Sequence, residues 1–138
     1  MSRGVYWADA NILLRFLTGE PPEMSSRSER LLQRARGGEI LLKVRPVVVA
    51  ETVWVLQSYY GHSRKDIVSV LVPLLTEHGL KVEGSSVVVV RALESMSENS
   101  VDFADALLAE SARSRSEGVT SFNRDFRKLD VDLHEPDQ

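Results

Sequence analysis

The chain contains no cysteine, which excludes a disulfide, a thiol nucleophile and a thiolate zinc site. Histidine is scarce and scattered. His62, His78 and His134 form no His-x-x-x-His or acid–His pattern, so they are expected to be ordinary surface or core residues. The glycine-rich loops Gly-x-x-x-x-Gly-Lys and Gly-x-Gly-x-x-Gly are missing, as is the elbow Gly-x-Ser-x-Gly; these absences argue against a phosphate-cradling loop, a dinucleotide fold and a serine hydrolase. No apolar run is long enough to span a bilayer, and Met1-Ser2-Arg3 does not begin a signal peptide. The expectation is therefore a cytoplasmic protein with no membrane role. Neither sign of charge dominates: the net charge of −3 over 138 residues does not announce a nucleic-acid binder.

What is present fits a folded domain. Hydrophobic residues make up 43% and charged residues 27%, enough apolar material for one domain over 1–138 with its own core. Charge is unevenly spread. Arg27, Arg30, Arg34, Arg36, Lys43 and Arg45 face only Glu29 and Glu39 in the same stretch. At helical spacing this is first a solvated helix face; beside an acidic pocket it becomes a phosphate-contacting rim.

Short β-branched or aromatic runs alternate with amphipathic ones. Val5 to Ala8 reads as a buried strand, followed by a helix through Leu17. A polar helix is predicted from about Glu23 to Arg36, closed by Gly37-Gly38, and a second strand from Glu39 to Val44. Pro46 suits the first turn of the next helix, which runs to about Gly61 and is apolar nearly all round, so it is expected to be buried. Ser63 caps a helix from Arg64 to His78, and Leu80 to Glu83 is a third strand. Ser85 to Ser97 mixes strand formers with helical spacing at Val89, Leu93 and Met96, and is read as helix. A helix from Asp102 to Ser116, a strand from Val119 to Phe122 and an edge strand at Val131 to Leu133 complete the chain. This alternation predicts a three-layer α/β/α sandwich around a central, mainly parallel sheet. Trp7 and Trp54 are expected in the core.

Three acids stand among apolar neighbours: Asp9 after Val5-Tyr6-Trp7-Ala8, Glu51 inside Val47 to Leu56, and Asp105 inside Phe103 to Ala109. A carboxylate so placed costs several kcal/mol unless a cation or hydrogen bonds compensate. Converging, they would form a hard-oxygen site for Mg²⁺ or Mn²⁺. In an open parallel sheet ligands collect beyond the carboxyl ends of the strands, where Asp9 and Asn123 fall; Asp105 falls in the first turn of its helix. Each residue also has a plainer role. Asp9 or Asn11 is a candidate helix cap, and Asp102 and Asp105 have N-cap and N3 spacing. Ser121-Phe122-Asn123-Arg124-Asp125 is a candidate turn, and Glu51 is a candidate partner for a buried arginine.

Four segments in order, Asp9 to Arg15, Val49 to Leu56, Asp102 to Ala109 and Thr120 to Phe126, resemble the motifs of PIN domains and, more narrowly, of VapC toxins from toxin–antitoxin pairs. The resemblance covers essentially the whole chain. It implies a PIN-like fold and a Mg²⁺- or Mn²⁺-dependent endoribonuclease. It also implies a homodimer inhibited by a VapB-type antitoxin, reaching operator DNA only through that antitoxin. Asp9, Glu51 and Asp105 match the three central acids, Asn11 the polar residue beside the first, and Ser121 the hydroxyl residue near the fourth position. There the sequence departs: many members carry Asp, and this chain has Asn123, with Asp125 two residues on as the other carboxylate. Arg45 also replaces the Ser or Thr cap common in relatives. Catalysis would be metal-assisted phosphodiester hydrolysis with no side-chain nucleophile, and Arg15, Arg124 and the Arg27–Arg34 face are candidates for RNA phosphate contacts. Two other functions share part of the pattern. A receiver-type phosphoacceptor domain also gathers acids around Mg²⁺, but needs a phosphorylatable Asp at a later strand end, and Glu51 inside a helix and Asp105 at a helix start do not fit it. An RNA-binding module without catalysis has Asn123 in its favour.

Overall fold

A computed structural model describes residues 4–136; the expectation for Met1-Ser2-Arg3 lies outside them. The chain divides into two compact units, Met1–Ser86 and Val87–Gln138, and each is described by itself.

In the first unit, strand β1 (Gly4–Trp7) pairs in parallel with β2 (Ile40–Val44), and β2 with β3 (Leu80–Val82), in the order β1-β2-β3. Along β2 the residues alternate, Ile40, Leu42 and Val44 being buried, as a pleat with one core face requires. Helix α1 (Ala10–Thr18) follows β1 after two residues and ends at Gly19, whose φ of 74° is the left-handed stop that glycine adopts freely. Helices α2 (Pro22–Arg36) and α3 (Pro46–Ser58) both begin on proline, where the missing N–H costs nothing. Ser63 caps α4 (Arg64–Leu75), its hydroxyl accepting from the Asp66 N–H at 3.1 Å. That helix ends before His78: the Thr76 N–H still bonds the Val72 carbonyl at 3.2 Å, but the Glu77 N–H bonds the Leu74 carbonyl at 3.3 Å, the three-residue step of a tightened last turn. α1 packs on α2 and α3, α3 on α4, α2 against β2 and α4 against β3.

The second unit contains α5 (Ser86–Asn99), which starts at the junction, α6 (Phe103–Arg113), β4 (Val119–Thr120), a 3₁₀ helix (Arg124–Lys128) and β5 (Leu133–His134). The mixed signal at Ser85 to Ser97 resolves as helix because Val89, Ala92, Leu93 and Met96 are buried at helical spacing. β4 and β5 pair in parallel, so every pairing among the described residues is parallel. With six α-helices among the described residues, the chain has the α/β class that the alternation predicted.

Three expectations about burial fail. Val5, Tyr6 and Trp7 are each about half exposed, because β1 is an edge strand of its sheet. Instead of filling a core, the Trp7 ring lies beneath Lys43 and Arg45, whose cationic groups stand 5.3 and 5.2 Å from its centre. α3 is buried on one face only, through Val49, Thr52, Val53 and Leu56. Its other side exposes Val47, Glu51 and Trp54. Apolar content all round a helix invited the inference of complete burial, but packing on α1 and α4 covers a single stripe.

Gly79 makes the closest backbone approach. Its φ is 86°, its carbonyl accepts from the Leu42 N–H at 2.8 Å, and a Cβ placed there would lie 2.0 Å from the Ala35 carbonyl oxygen. Backbone on both sides leaves no flexible atom to yield. Gly79→Ala should therefore cost at least about 2 kcal/mol, seen as a lowered urea midpoint or loss of folded protein, while Gly84→Ala, with φ of 79° but nothing within 4 Å, should cost less.

Candidate functional site

Asp9 closes the two-residue link between β1 and α1. It is exposed and caps α1, its Oδ1 accepting from the Ile12 N–H at 3.3 Å. Such a cap is worth about 1 kcal/mol, and Asn serves as well as Asp, whereas burying Leu13 and Leu14 is worth about 1.5–3 kcal/mol each. Packing rather than the Asp9 charge therefore holds the helix. Glu51 lies one and a half turns into α3, between Val47 and Val55. Asp9, Asn11 and Glu51 together line a cleft of about 150 Å³, with Ala10, Leu14 and Val55 as its apolar wall. Glu51 is exposed, which corrects the expectation that it points into protein: it faces an open cleft.

In the second unit Asp105 occupies the third position of α6, three residues after Asp102 at the N-cap. Around it the segment Ser121 to Asp125 folds as two successive side-chain turns. The Asn123 N–H donates to Ser121 Oγ at 2.9 Å, and the Asp125 N–H donates to Asn123 Oδ1 at 3.0 Å. With its carbonyl oxygen so engaged, Asn123 turns its amide toward Asp105, Nδ2 donating to Oδ2 at 3.3 Å. Through that amide Asn123 braces the Asp105 carboxylate. The two-residue spacings in Ser-x-Asn-x-Asp are the signal that would have found this.

Burial raises the Asp105 carboxyl above the ordinary carboxylate range, and the charges of Asp102 and Asp125 push it further. The dipole at the start of α6 favours the ionised form by about 0.3–1 kcal/mol, and the three opposing influences outweigh it. Excess negative charge around a half-buried carboxylate is relieved by a cation, and all the donors are hard oxygens suited to Mg²⁺ or Mn²⁺. Each unit thus carries hard-oxygen donors of its own that suit such an ion, Asp9 with Glu51 in the first and Asp105 with its neighbours in the second. Among the described residues, no three acidic or histidine side chains stand together as a ready cage.

Of the basic candidates, Arg15 and Arg27 line a groove of about 450 Å³ between α1 and α2, which Asn11 also lines. Arg34 is paired with Glu39 at 3.1 Å and Arg36 with Glu77, so part of the basic run is neutralised locally. Arg124 is exposed at the first position of the 3₁₀ helix. The groove itself was not foreseen, although Asn11 and Arg15, four apart, and Met24, Arg27 and Leu31, three and four apart, share helix faces that the sequence displays.

A family model described as PIN domain matches residues 6–132. The chain is also similar to a VapC ribonuclease of Aquifex aeolicus (strain VF5), with 29% identity over 122 residues that cover 88% of this chain and 89% of that protein.

Because the folded state holds the Asp105 proton more tightly than the unfolded chain does, its ionised form detracts from stability at neutral pH. The penalty disappears as pH falls below the ordinary carboxylate pKa of about 3.9. In metal-free protein, Asp105→Asn should raise the thermal midpoint at pH 7, with the advantage shrinking as pH is lowered toward 4. A stabilisation independent of pH would mean that charge is not its cause.

Proposed function

The chain belongs to the PIN domain family, and from that membership we propose that it is a divalent-metal-dependent endoribonuclease, the toxin of a toxin–antitoxin pair. The observation that carries this is the cleft at the carboxyl edge of a parallel sheet, which Asp9, Asn11 and Glu51 line and where both acids are exposed to solvent. Similarity to a VapC ribonuclease over most of both chains supports the choice of RNA.

In this proposal Asp9, Glu51 and Asp105 hold Mg²⁺ or Mn²⁺. When bound, the ion supplies Lewis acidity at the scissile phosphate and a nucleophilic water near neutral pH. Asp9 keeps its Oδ1 on the Ile12 N–H, so the cap fixes the carboxylate before any ion arrives. Asn123 does the same for Asp105 through its amide, with Ser121 and Asp125 fixing Asn123. These restraints reduce the side-chain freedom lost on binding. Arg15 and Arg124 contact RNA phosphates. A VapB-type antitoxin restrains the enzyme and carries any operator DNA contact, and the toxin is a cytoplasmic homodimer. Among the described residues no helix is long and apolar enough to cross a membrane.

Purified protein should cleave RNA with Mg²⁺ or Mn²⁺ and stop in EDTA. Asp9→Asn, Glu51→Gln and Asp105→Asn should each lower the rate on the order of 10²–10³-fold, with circular dichroism unchanged. Asp9→Asn is the cleanest of the three because the helix cap survives. Chelator-resistant cleavage, or full activity in all three variants, rules the metal mechanism out.

Asn123→Asp places a second charge against Asp105 in place of the bracing amide. It should lower the metal-free thermal midpoint, enlarge the stabilisation produced by Mn²⁺, and lower the Mn²⁺ concentration for half-maximal cleavage. A gain of about 1.4 kcal/mol would appear as tenfold. If Asp125→Asn weakens metal binding while Asn123→Asp leaves it unchanged, Asp125 is the carboxylate that matters.

A further inference from the structure

The groove between α1 and α2 has a chemistry that the acidic cleft does not account for. Ile12, Met24 and Leu31 give it an apolar floor, Arg15 and Arg27 supply its only formal charges, and Asn11 sits at one end. At about 450 Å³ it falls within the range of small-ligand sites, about 300–1,000 Å³. Neither arginine is held in an ion pair among the described residues. Arg15 Nε is buried without a hydrogen-bond partner, and Nη1 reaches only the Glu20 carbonyl at 3.4 Å. A partly desolvated guanidinium lacking a counter-charge favours an anion beside it.

Asn11 decides what kind of anion. It lines both this groove and the cleft of Asp9 and Glu51, so a ligand seated in the groove continues directly into the cleft. We infer that the α1–α2 groove seats one unpaired nucleotide of the RNA substrate next to the scissile phosphate. Its base lies on Ile12, Met24 and Leu31, its phosphate is held by Arg15 and Arg27, and Asn11 meets the base edge. An apolar floor with flanking cations suits a base whose faces are free, so the substrate is single-stranded at this position. Asn11 is then a specificity-determining residue, since its amide offers both a donor and an acceptor to a base edge. This inference rests on the ribonuclease proposal for its substrate but adds a subsite outside the acids.

The test separates the two. Binding of a fluorescent oligoribonucleotide carrying a 2′-O-methyl group at each position is measured by anisotropy in EDTA, and cleavage of the unmodified oligonucleotide is measured with Mg²⁺. Arg27→Gln should weaken binding about tenfold. It should also reduce the slope of log K against log salt by about 0.7, the single-strand value for one lost phosphate contact. In cleavage it should raise KM and leave kcat within about twofold. Met24→Glu should weaken binding with the folded spectrum unchanged, and Asn11→Ala should alter which base is preferred beside the cut. Groove-dependent binding by a protein that cleaves no RNA supports the subsite and overturns the nuclease proposal. Cleavage with normal KM and an unchanged salt slope in both Arg27→Gln and Met24→Glu overturns the subsite and leaves the nuclease standing. If those variants instead lose inhibition by the antitoxin while binding RNA normally, the groove serves a protein partner and the inference fails.

Discussion

The parallel pairing of β1 on β2 is the constraint from which the cleft follows. The ladder matches Gly4 with Ile40 through Trp7 with Lys43, and the Ala8 N–H extends it by one bond to the Lys43 carbonyl at 2.9 Å. Both strands therefore deliver their chains to the same edge, where only Ala8 and Asp9 precede α1 and only Arg45 precedes α3. Such short connections leave little choice about where the helices begin. Asp9 is fixed at the edge itself, and Glu51 is carried into the cleft at its sixth position along α3. A slip of one residue in the register would reverse every side chain of β1 and misplace the link that carries Asp9.

Charge in the second unit is arranged on a different plan. Among the described residues no arginine pairs with Asp105; it is held by one amide hydrogen bond while Asp102 and Asp125 repel it. A fold that kept such a group for stability alone would gain by replacing it, since unpaired half-buried charge is costly. Strain of this kind is characteristic of sites that await an opposite charge. The same arrangement explains why a neutral residue at position 123 is tolerated: the amide offsets part of the repulsion in the absence of a cation, which a carboxylate there would worsen.

The sequence displayed the elements better than their environments. Capping and periodicity located α1, α4 and α6, an amphipathic pattern closed by Gly37-Gly38 located α2 from Glu23 onward, and proline at the first turn located α3, because these signals are local. Exposure was misjudged at Trp7, Trp54 and Glu51, because burial depends on which face of an element meets its neighbours, and residue type does not encode that. The candidate acids were visible as carboxylates in apolar company. Their partners were not, since the Asn123 amide acquires its direction only when Oδ1 is claimed by the Asp125 N–H. The α1–α2 groove was hidden for the same reason: Asn11 and Met24 lie thirteen positions apart and become neighbours only through helix packing.

The position of the two tryptophans has an optical consequence. Trp7 is half exposed beneath Lys43 and Arg45, and Trp54 is two-thirds exposed three residues after Glu51. Indole emission shifts to longer wavelength as water gains access, so unfolding should shift the emission of these two residues less than it shifts that of buried indoles. Emission colour is consequently a poor witness to unfolding here. Its intensity is more useful: a paramagnetic ion bound at Glu51 would stand near Trp54, three residues on, and would quench it, giving the protein its own lamp for the proposed site.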